Sequence, residues 1–143
     1  MTSGITATAS ISIDASREAV WQALTDPEMI KEYFFGTDTV TTWEVGSPLR
    51  FKGEWEGKTY EDKGTVLAFK KGEQVKYDYW SSMSGTADVP ENYGIVTYDL
   101  SGDDGAVTVT VTQENIRDEK TRDHSVENWN VVLNQMKNLL EKK

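Results

Sequence analysis

Residues 126–140 read VENWNVVLNQMKNLL, and in this stretch Val126, Trp129, Leu133, Met136 and Leu140 recur at helical spacing between polar neighbours. A helix with one apolar stripe needs something to cover. Val132 and Leu139 widen the stripe beyond the narrow seam of a coiled coil, so the surface it suits is a broad one, such as a curved sheet. A sheet wrapped around one long terminal helix encloses space, and that space is where function is to be sought.

Upstream of this helix the apolar period changes to two. Strands are predicted over Thr39–Trp43, Leu49–Trp55, Thr59–Phe69, Glu73–Ser81, Tyr93–Leu100 and Ala106–Glu114, with turns at Glu56-Gly57, Lys71-Gly72 and Asp104-Gly105. Such short links favour antiparallel neighbours. Ser82–Asn92 is the longest polar and small-residue stretch, and Met83, Ser84, Gly85 and Thr86 read as a flexible loop.

The N-terminal quarter supplies one more strand and two short helices. From Ile5 to Ile13, Ala7, Ala9, Ile11 and Ile13 alternate with Thr6, Thr8, Ser10 and Ser12, the pattern of a half-buried strand. Ser16 is placed to cap a helix whose Val20, Trp21 and Leu24 share a side. Asp26 caps the next, with Pro27 in its first turn and Glu28 near the positive end of its dipole; it carries Ile30, Tyr33 and Phe34 and stops at Gly36. The order is β-α-α-β-β-β-β-β-β-α, and this segregation of helices from strands makes the fold class α+β.

Length and composition set bounds. A chain of 143 residues is expected to form one domain spanning 1–143 and to bury roughly two-thirds of the surface its unfolded form exposes. It has no Cys, which excludes disulfides, thiolate nucleophiles and sulfur-ligated metals. The start, MTSGITATAS, lacks the basic and apolar regions of a signal peptide, and no apolar run approaches the ~20 residues of a membrane span, so a cytoplasmic location is expected. A net charge of -9 argues against nucleic acid and against anionic membrane surfaces. The pairs Lys70 with Lys71 and Lys142 with Lys143 read as solvated surface.

The run Ile11-Ser-Ile-Asp-Ala-Ser-Arg-Glu-Ala-Val-Trp-Gln-Ala-Leu-Thr-Asp-Pro-Glu28, followed by Gly64-Thr-Val66, Val75-Lys-Tyr77 and Asn128-Trp129 with Leu133, resembles the helix-grip superfamily. That superfamily includes the START, birch-pollen-allergen and polyketide-cyclase-like proteins. Within it the chain is most similar to the branch of the C-terminal domain of the heat-shock-protein-90 ATPase activator, of which the Val-Trp-x-Ala-Leu-Thr-Asp-Pro run is characteristic. Tyr33-Phe34-Phe35 stands where that branch often has a Trp-Phe pair. The resemblance implies a curved antiparallel sheet gripping the terminal helix, with a cavity between them. It implies no particular reaction, because the superfamily hosts carriers, receptors, cyclases and co-chaperones.

Strand alternation sorts the residues that would line such a cavity. Val75, Tyr77 and Tyr79 share one face of their strand, as do Tyr60, Asp62, Gly64 and Val66, Phe51 and Trp55, and Val96, Tyr98 and Leu100 on theirs. The expected wall is therefore Phe51, Trp55, Tyr60, Asp62, Val66, Val75, Tyr77, Tyr79 and Tyr98, facing Trp129, Leu133 and Met136 of the helix. Two readings of this wall compete: plain core packing, or an apolar ligand cavity whose tyrosines add hydrogen-bonding tips. Asp62 is the sharpest single residue. Facing inward it is a candidate general acid or polar anchor; a β-bulge nearby would turn it out to solvent.

Other candidates reduce to surface. Arg122-Asp123-His124-Ser125 brings together the residue types of a nucleophilic triad, but neighbours at a helix start cannot reproduce its geometry, and Asp123 or Ser125 reads better as a cap. His124 is the only histidine, too few for a zinc site. Acidic pairs such as Glu54 with Glu56 and Asp103 with Asp104 fall at turns and read as solvated. No P-loop, dinucleotide fingerprint or Gly-x-Ser-x-Gly elbow is present, and neither a cofactor nor a metal is expected.

The leading functional expectation is non-catalytic binding of a small hydrophobic molecule, aromatic or lipid-like, by a monomer or weak homodimer that neither binds nucleic acid nor inserts in membranes. A second is a co-chaperone-like domain whose partner is a chaperone. Against it, the chain leaves no room for the activator's separate chaperone-binding domain. A third is a cyclase or dehydratase using Asp62 and a tyrosine.

Overall fold

The computed structural model describes residues 5–33, 37–55, 57–81, 87–89, 92–116 and 118–141, apart from the side chains of Trp55, Lys58, Tyr60 and Ser81. Its elements follow the expected order: β1 (Ile5–Ile13), α1 (Arg17–Thr25), α2 (Pro27–Tyr33), β2 (Asp38–Thr41), β3 (Pro48–Trp55), β4 (Lys58–Lys70), β5 (Gln74–Ser81), β6 (Gly94–Asp103), β7 (Ala106–Ile116) and α3 (Glu119–Glu141). The strands form one antiparallel 7-stranded sheet in the order β1-β7-β6-β5-β4-β3-β2. The first strand thus lies beside the last, and β2 is the far edge.

Local chemistry explains the short elements. The Ser16 hydroxyl accepts from Ala19 N at 3.1 Å, and the Asp26 carboxylate accepts from Glu28 N at 3.0 Å, so both expected caps are in place. Asp104 is more than solvated surface, since its carboxylate accepts the Arg17 amide at 2.8 Å, one of the donors that α1 cannot satisfy within itself. The Arg17 guanidinium donates to the carbonyls of Gly72, Leu100 and Gly102, fastening α1 to one end of the sheet.

Two irregularities in β4 bend the sheet around the helices. The register with β5 shifts between Val66 and Ala68, which makes Leu67 an extra, bulged residue. At Gly64 the strands approach so closely that an added Cβ would lie 1.7 Å from the Asp78 carbonyl oxygen. There the Asp78 carboxylate accepts Thr65 N at 2.7 Å in place of a ladder bond.

Helix α3 begins earlier than its apolar stripe. Asp118 is its cap, accepting Thr121 N at 2.7 Å, and Asp123 and Ser125, expected as caps, lie inside the helix. The first two turns are polar, so the periodicity that reveals a buried face says nothing about where the backbone starts to coil. Trp129, Val132, Leu133 and Met136 are buried against the inner face of the sheet, flanked by half-buried Leu139 and Leu140. At its end, Lys137 donates to the Ser12 carbonyl at 2.9 Å and Glu141 accepts from Asp14 N at 2.8 Å.

Candidate functional site

The inner face of the sheet divides by chemistry. Toward β1 and β7 it is aliphatic. Toward β3, β5 and β6 it is aromatic, because Phe51, Tyr77, Tyr79 and Tyr98 fall in the inward phase of their strands. Their rings form a continuous cluster: Phe51 to Tyr77 at 5.6 Å, Tyr77 to Tyr98 at 6.4 Å, Tyr77 to Tyr79 at 6.5 Å, and Tyr98 to Trp129 at 5.8 Å edge to face. α2 adds Tyr33, buried against the same cluster.

A small void persists within this half. It is bounded by Leu24, Ile30, Tyr33, Trp43, Phe51, Tyr77 and Tyr98, and at about 10 Å³ it is at the lower limit of what admits one water molecule. Of the wall expected from sequence, the void touches Phe51, Tyr77 and Tyr98. Val66, Val75, Leu133 and Met136 are buried in the packed core, and Trp129 meets the cluster through Tyr98. The side chains of Trp55 and Tyr60 lie outside the described residues, as do Phe34, Gly36 and the stretch Met83–Thr86 read as a flexible loop.

Most of the polar tips in the cluster are accounted for. Tyr33 Oη donates to the Ala23 carbonyl at 2.8 Å. Tyr77 and Tyr98 are neighbours whose hydroxyls act on each other's ionisation. Gln113 Nε2 donates to Tyr79 Oη at 2.9 Å while its Oε1 accepts from Trp129 Nε1 at 2.8 Å, which ties β5, β7 and α3 together. Burial, followed by the neighbouring Tyr98, holds Tyr77 well above the ordinary tyrosine value, and burial followed by Tyr33 does the same to Tyr98. Tyr33 is raised by burial and then by Tyr77, and Tyr79 is pushed up to about 12 by burial and then by Asp62.

Asp62 sits on the inner face. The bulge falls at Leu67, beyond it in the strand, so Asp62 keeps phase with Val66 and stands opposite Phe51 and Ser81. One of its carboxylate oxygens is buried, and its charge acts on both Tyr77 and Tyr79. It is not among the residues that bound the void. His124 is exposed on α3. Among the described residues, no group of three His, Asp or Glu is arranged to hold a metal ion.

Four contributors escaped the strand-based reading. Leu24, Ile30 and Tyr33 come from the short helices, and their shared apolar side was the available signal. Trp43 was expected to close a strand. Instead β2 ends at Thr41, whose hydroxyl accepts Trp43 N at 3.0 Å, and Trp43 adopts φ 61°, a left-handed conformation that is costly for a bulky side chain. Its indole donates to the Thr25 carbonyl at 2.7 Å, pinning the link between β2 and β3 to the end of α1. Gln113 follows Val107, Val109 and Val111 in the inward phase of β7 and is half-buried, and that phase was the available signal.

The family model described as activator of Hsp90 ATPase homolog 1-like protein matches residues 14–141, from the end of β1 through α3. The chain belongs to this family. A Cytophaga hutchinsonii protein of known solution structure is 45% identical, with 99% of this chain and 97% of that one covered at a TM-score of 0.84. The Aha1 dimer from Colwellia psychrerythraea is 22% identical, covering 96% of this chain and 97% of that one at a TM-score of 0.75. DynU16, from the dynemicin biosynthetic locus, is 18% identical, and 96% of this chain matches 47% of it at a TM-score of 0.79. At these lower identities the likeness is one of fold. No curated protein matches the chain in sequence. In this AHSA1-like chain the sheet grips α3 as the resemblance implied, and no described helix is long and apolar enough to cross a membrane.

Proposed function

We propose that this AHSA1-like chain acts as a single-domain cytoplasmic binding protein, monomeric or weakly dimeric, for a small, flat, apolar molecule seated at the aromatic half of its inner face. One observation carries the reading: three buried tyrosines, Tyr33, Tyr77 and Tyr98, bound one small cavity at the edge of the hydrophobic core. Leucine or phenylalanine fills a core at lower cost, because every buried hydroxyl must find a partner. Aromatic faces with a few convergent polar tips are what small-molecule sites present.

The void has room for at most about one water, so occupancy by a larger molecule requires the wall to open. The movable side comprises Leu24, Ile30, Tyr33 and Trp43, borne on two short helices and a strained link rather than on the sheet. The test is a titration of tryptophan emission with planar aromatic compounds, together with native mass spectrometry of freshly purified protein. Micromolar binding with little salt dependence is expected, since burial rather than charge drives it. Binding only above millimolar concentration, with no molecule carried through purification, rejects the proposal.

A second reading, a protein-interaction domain with a chaperone partner, draws on exposed apolar residues near the free β2 edge. Val40 and Val45 are 53% and 65% exposed, and the bond from Gly46 N to the Val66 carbonyl sets Val45 beside the bulged Leu67. Loss of chaperone association in Val45→Asp, with aromatic binding unchanged, supports this reading; equal association by both proteins removes it.

A further inference from the structure

Trp43 is the void-bounding residue carried by the link between β2 and β3, residues 42–47. Thr42, Glu44, Val45 and Gly46 beside it are exposed, so the link covers the void with one half-buried ring. That ring is held from two sides. Its indole N–H donates to the Thr25 carbonyl at 2.7 Å, one of the acceptors that the last turn of α1 cannot satisfy within itself. It also lies 5.9 Å from Phe69, which in turn meets Trp21 edge to face at 5.2 Å.

The backbone opposes these contacts. Trp43 sits at φ 61° and Gly46 at φ 90°, a left-handed conformation that is free for glycine and costly for a bulky residue. Such strain persists only while the surroundings impose it. The other walls of the void are fastened more firmly. Phe51, Tyr77 and Tyr98 stand in strand ladders, the Arg17 guanidinium ties α1 to three carbonyls, and Tyr33 Oη ties α2 to α1 at Ala23. Past Trp43 the link is anchored again, where Gly46 N donates to the Val66 carbonyl at 2.8 Å and Val66 N to the Ser47 carbonyl at 3.0 Å. Moving Trp43 outward therefore breaks the bond to Thr25 and the 3.0 Å bond from its own amide to the Thr41 hydroxyl, and no bond of a ladder.

We propose that Trp43 is a strained plug, which swings out about Gly46 with relief of its backbone and opens the void to solvent, and which closes when its indole regains the Thr25 carbonyl. This deepens the binding proposal by naming the part of the wall that moves first, and only the ligand arm of the test rests on that proposal.

The test compares two indoles. Trp43 Nε1 and Trp129 Nε1 donate across nearly equal distances, 2.7 and 2.8 Å, but Trp129 belongs to the packed seam under α3. Hydrogen exchange of the two indole protons, followed by NMR at neutral pH, should run about tenfold to a hundredfold faster at Trp43, the equilibrium worth of backbone strain of this kind. Its dependence on urea should be weak, because the opening exposes little surface. Equal rates with equal urea dependence overturn the plug. Gly46→Ala separates strain from mere exposure. A Cβ added there meets nothing within 4 Å, so it acts only through the positive φ and disfavours the closed link. Exchange at Trp43 should rise severalfold while Trp129 keeps its rate; no rise, or the same rise at both indoles, overturns the proposal. The ligand arm uses fluorene, which is flat and neutral, and its association rate should rise in Gly46→Ala in proportion to Trp43 exchange. Binding at an unchanged rate overturns the link as the entrance. Failure of fluorene to bind wild type, with Trp43 exchange fast and responsive to Gly46→Ala, rejects the binding proposal and supports the plug.

Discussion

Beneath α3 the inner face is Ala7, Ala9, Ile13, Val107, Val109 and Val111 against Val132, Leu133 and Met136; beneath α1 and α2 it is Phe51, Tyr77 and Tyr98 against Leu24, Ile30 and Tyr33. The first half is aliphatic, and most of it is completely buried. The second carries hydroxyls and encloses a void. Branched aliphatic side chains interdigitate freely toward crystal density, whereas rigid rings must satisfy both shape and hydrogen bonds, and meeting the second demand leaves gaps in the first. One half is tightly packed, and the other is the half to which the proposed ligand is assigned.

Substitutions test this division. Trp129→Ala, at the seam where Tyr98 and Gln113 meet α3, should cost about 3–5 kcal/mol in chemical denaturation through lost packing and a stranded Gln113. A loss below about 1 kcal/mol with two-state unfolding would mean that α3 is not the clamp. Leu133→Ala, in the dry half at 0% exposure, should cost about 3 kcal/mol and leave aromatic binding unchanged in the molecules still folded. Weakened binding in that variant would show that the halves are not independent.

Alkaline pH should loosen the aromatic half selectively. Buried tyrosines whose folded values are raised stay protonated in the fold but ionise in the unfolded chain from about pH 10. The stability they contribute is therefore intact below pH 10 and falls as pH climbs, for Tyr79 through about 12. At roughly 1.4 kcal/mol per unit, Tyr79 alone accounts for about 2–3 kcal/mol. Stability followed by denaturation between pH 9 and 12 should decline steeply in wild type and less so in Tyr79→Phe. Parallel declines would assign the effect elsewhere.

Smaller changes sharpen the picture. Tyr33→Phe removes the bond to the Ala23 carbonyl and should cost about 1 kcal/mol by denaturation, while a cost above about 3 kcal/mol would make Tyr33 structural rather than part of a movable wall. The smallest effect is expected on the outer face. Burial raises Asp78 while its bond from Thr65 N pulls the other way, so the charge is unfavourable above the ordinary carboxylate range and its penalty disappears as pH falls. Asp78→Asn keeps an acceptor for Thr65 and should stay within about 0.5 kcal/mol of wild type at pH 7; a large loss would show that the charge itself holds the bend in β4.

The sequence by itself determined the element order, the caps at Ser16 and Asp26, the inward phase of Phe51, Tyr77, Tyr79 and Tyr98, and the stripe of α3, because each is a local pattern of period two or 3.6. It left open whether Asp62 faces inward, since that depends on which residue of β4 carries the bulge, and only pairing with β5 put the bulge at Leu67. It misplaced the start of α3 because first turns made of polar residues leave no apolar period to read. The tertiary structure alone decided that the free space lies beneath α1 and α2. There Tyr33 and Trp43, distant in the chain from Tyr77 and Tyr98, meet them around one void, and no periodicity records a contact between residues that only the curvature of the sheet brings together.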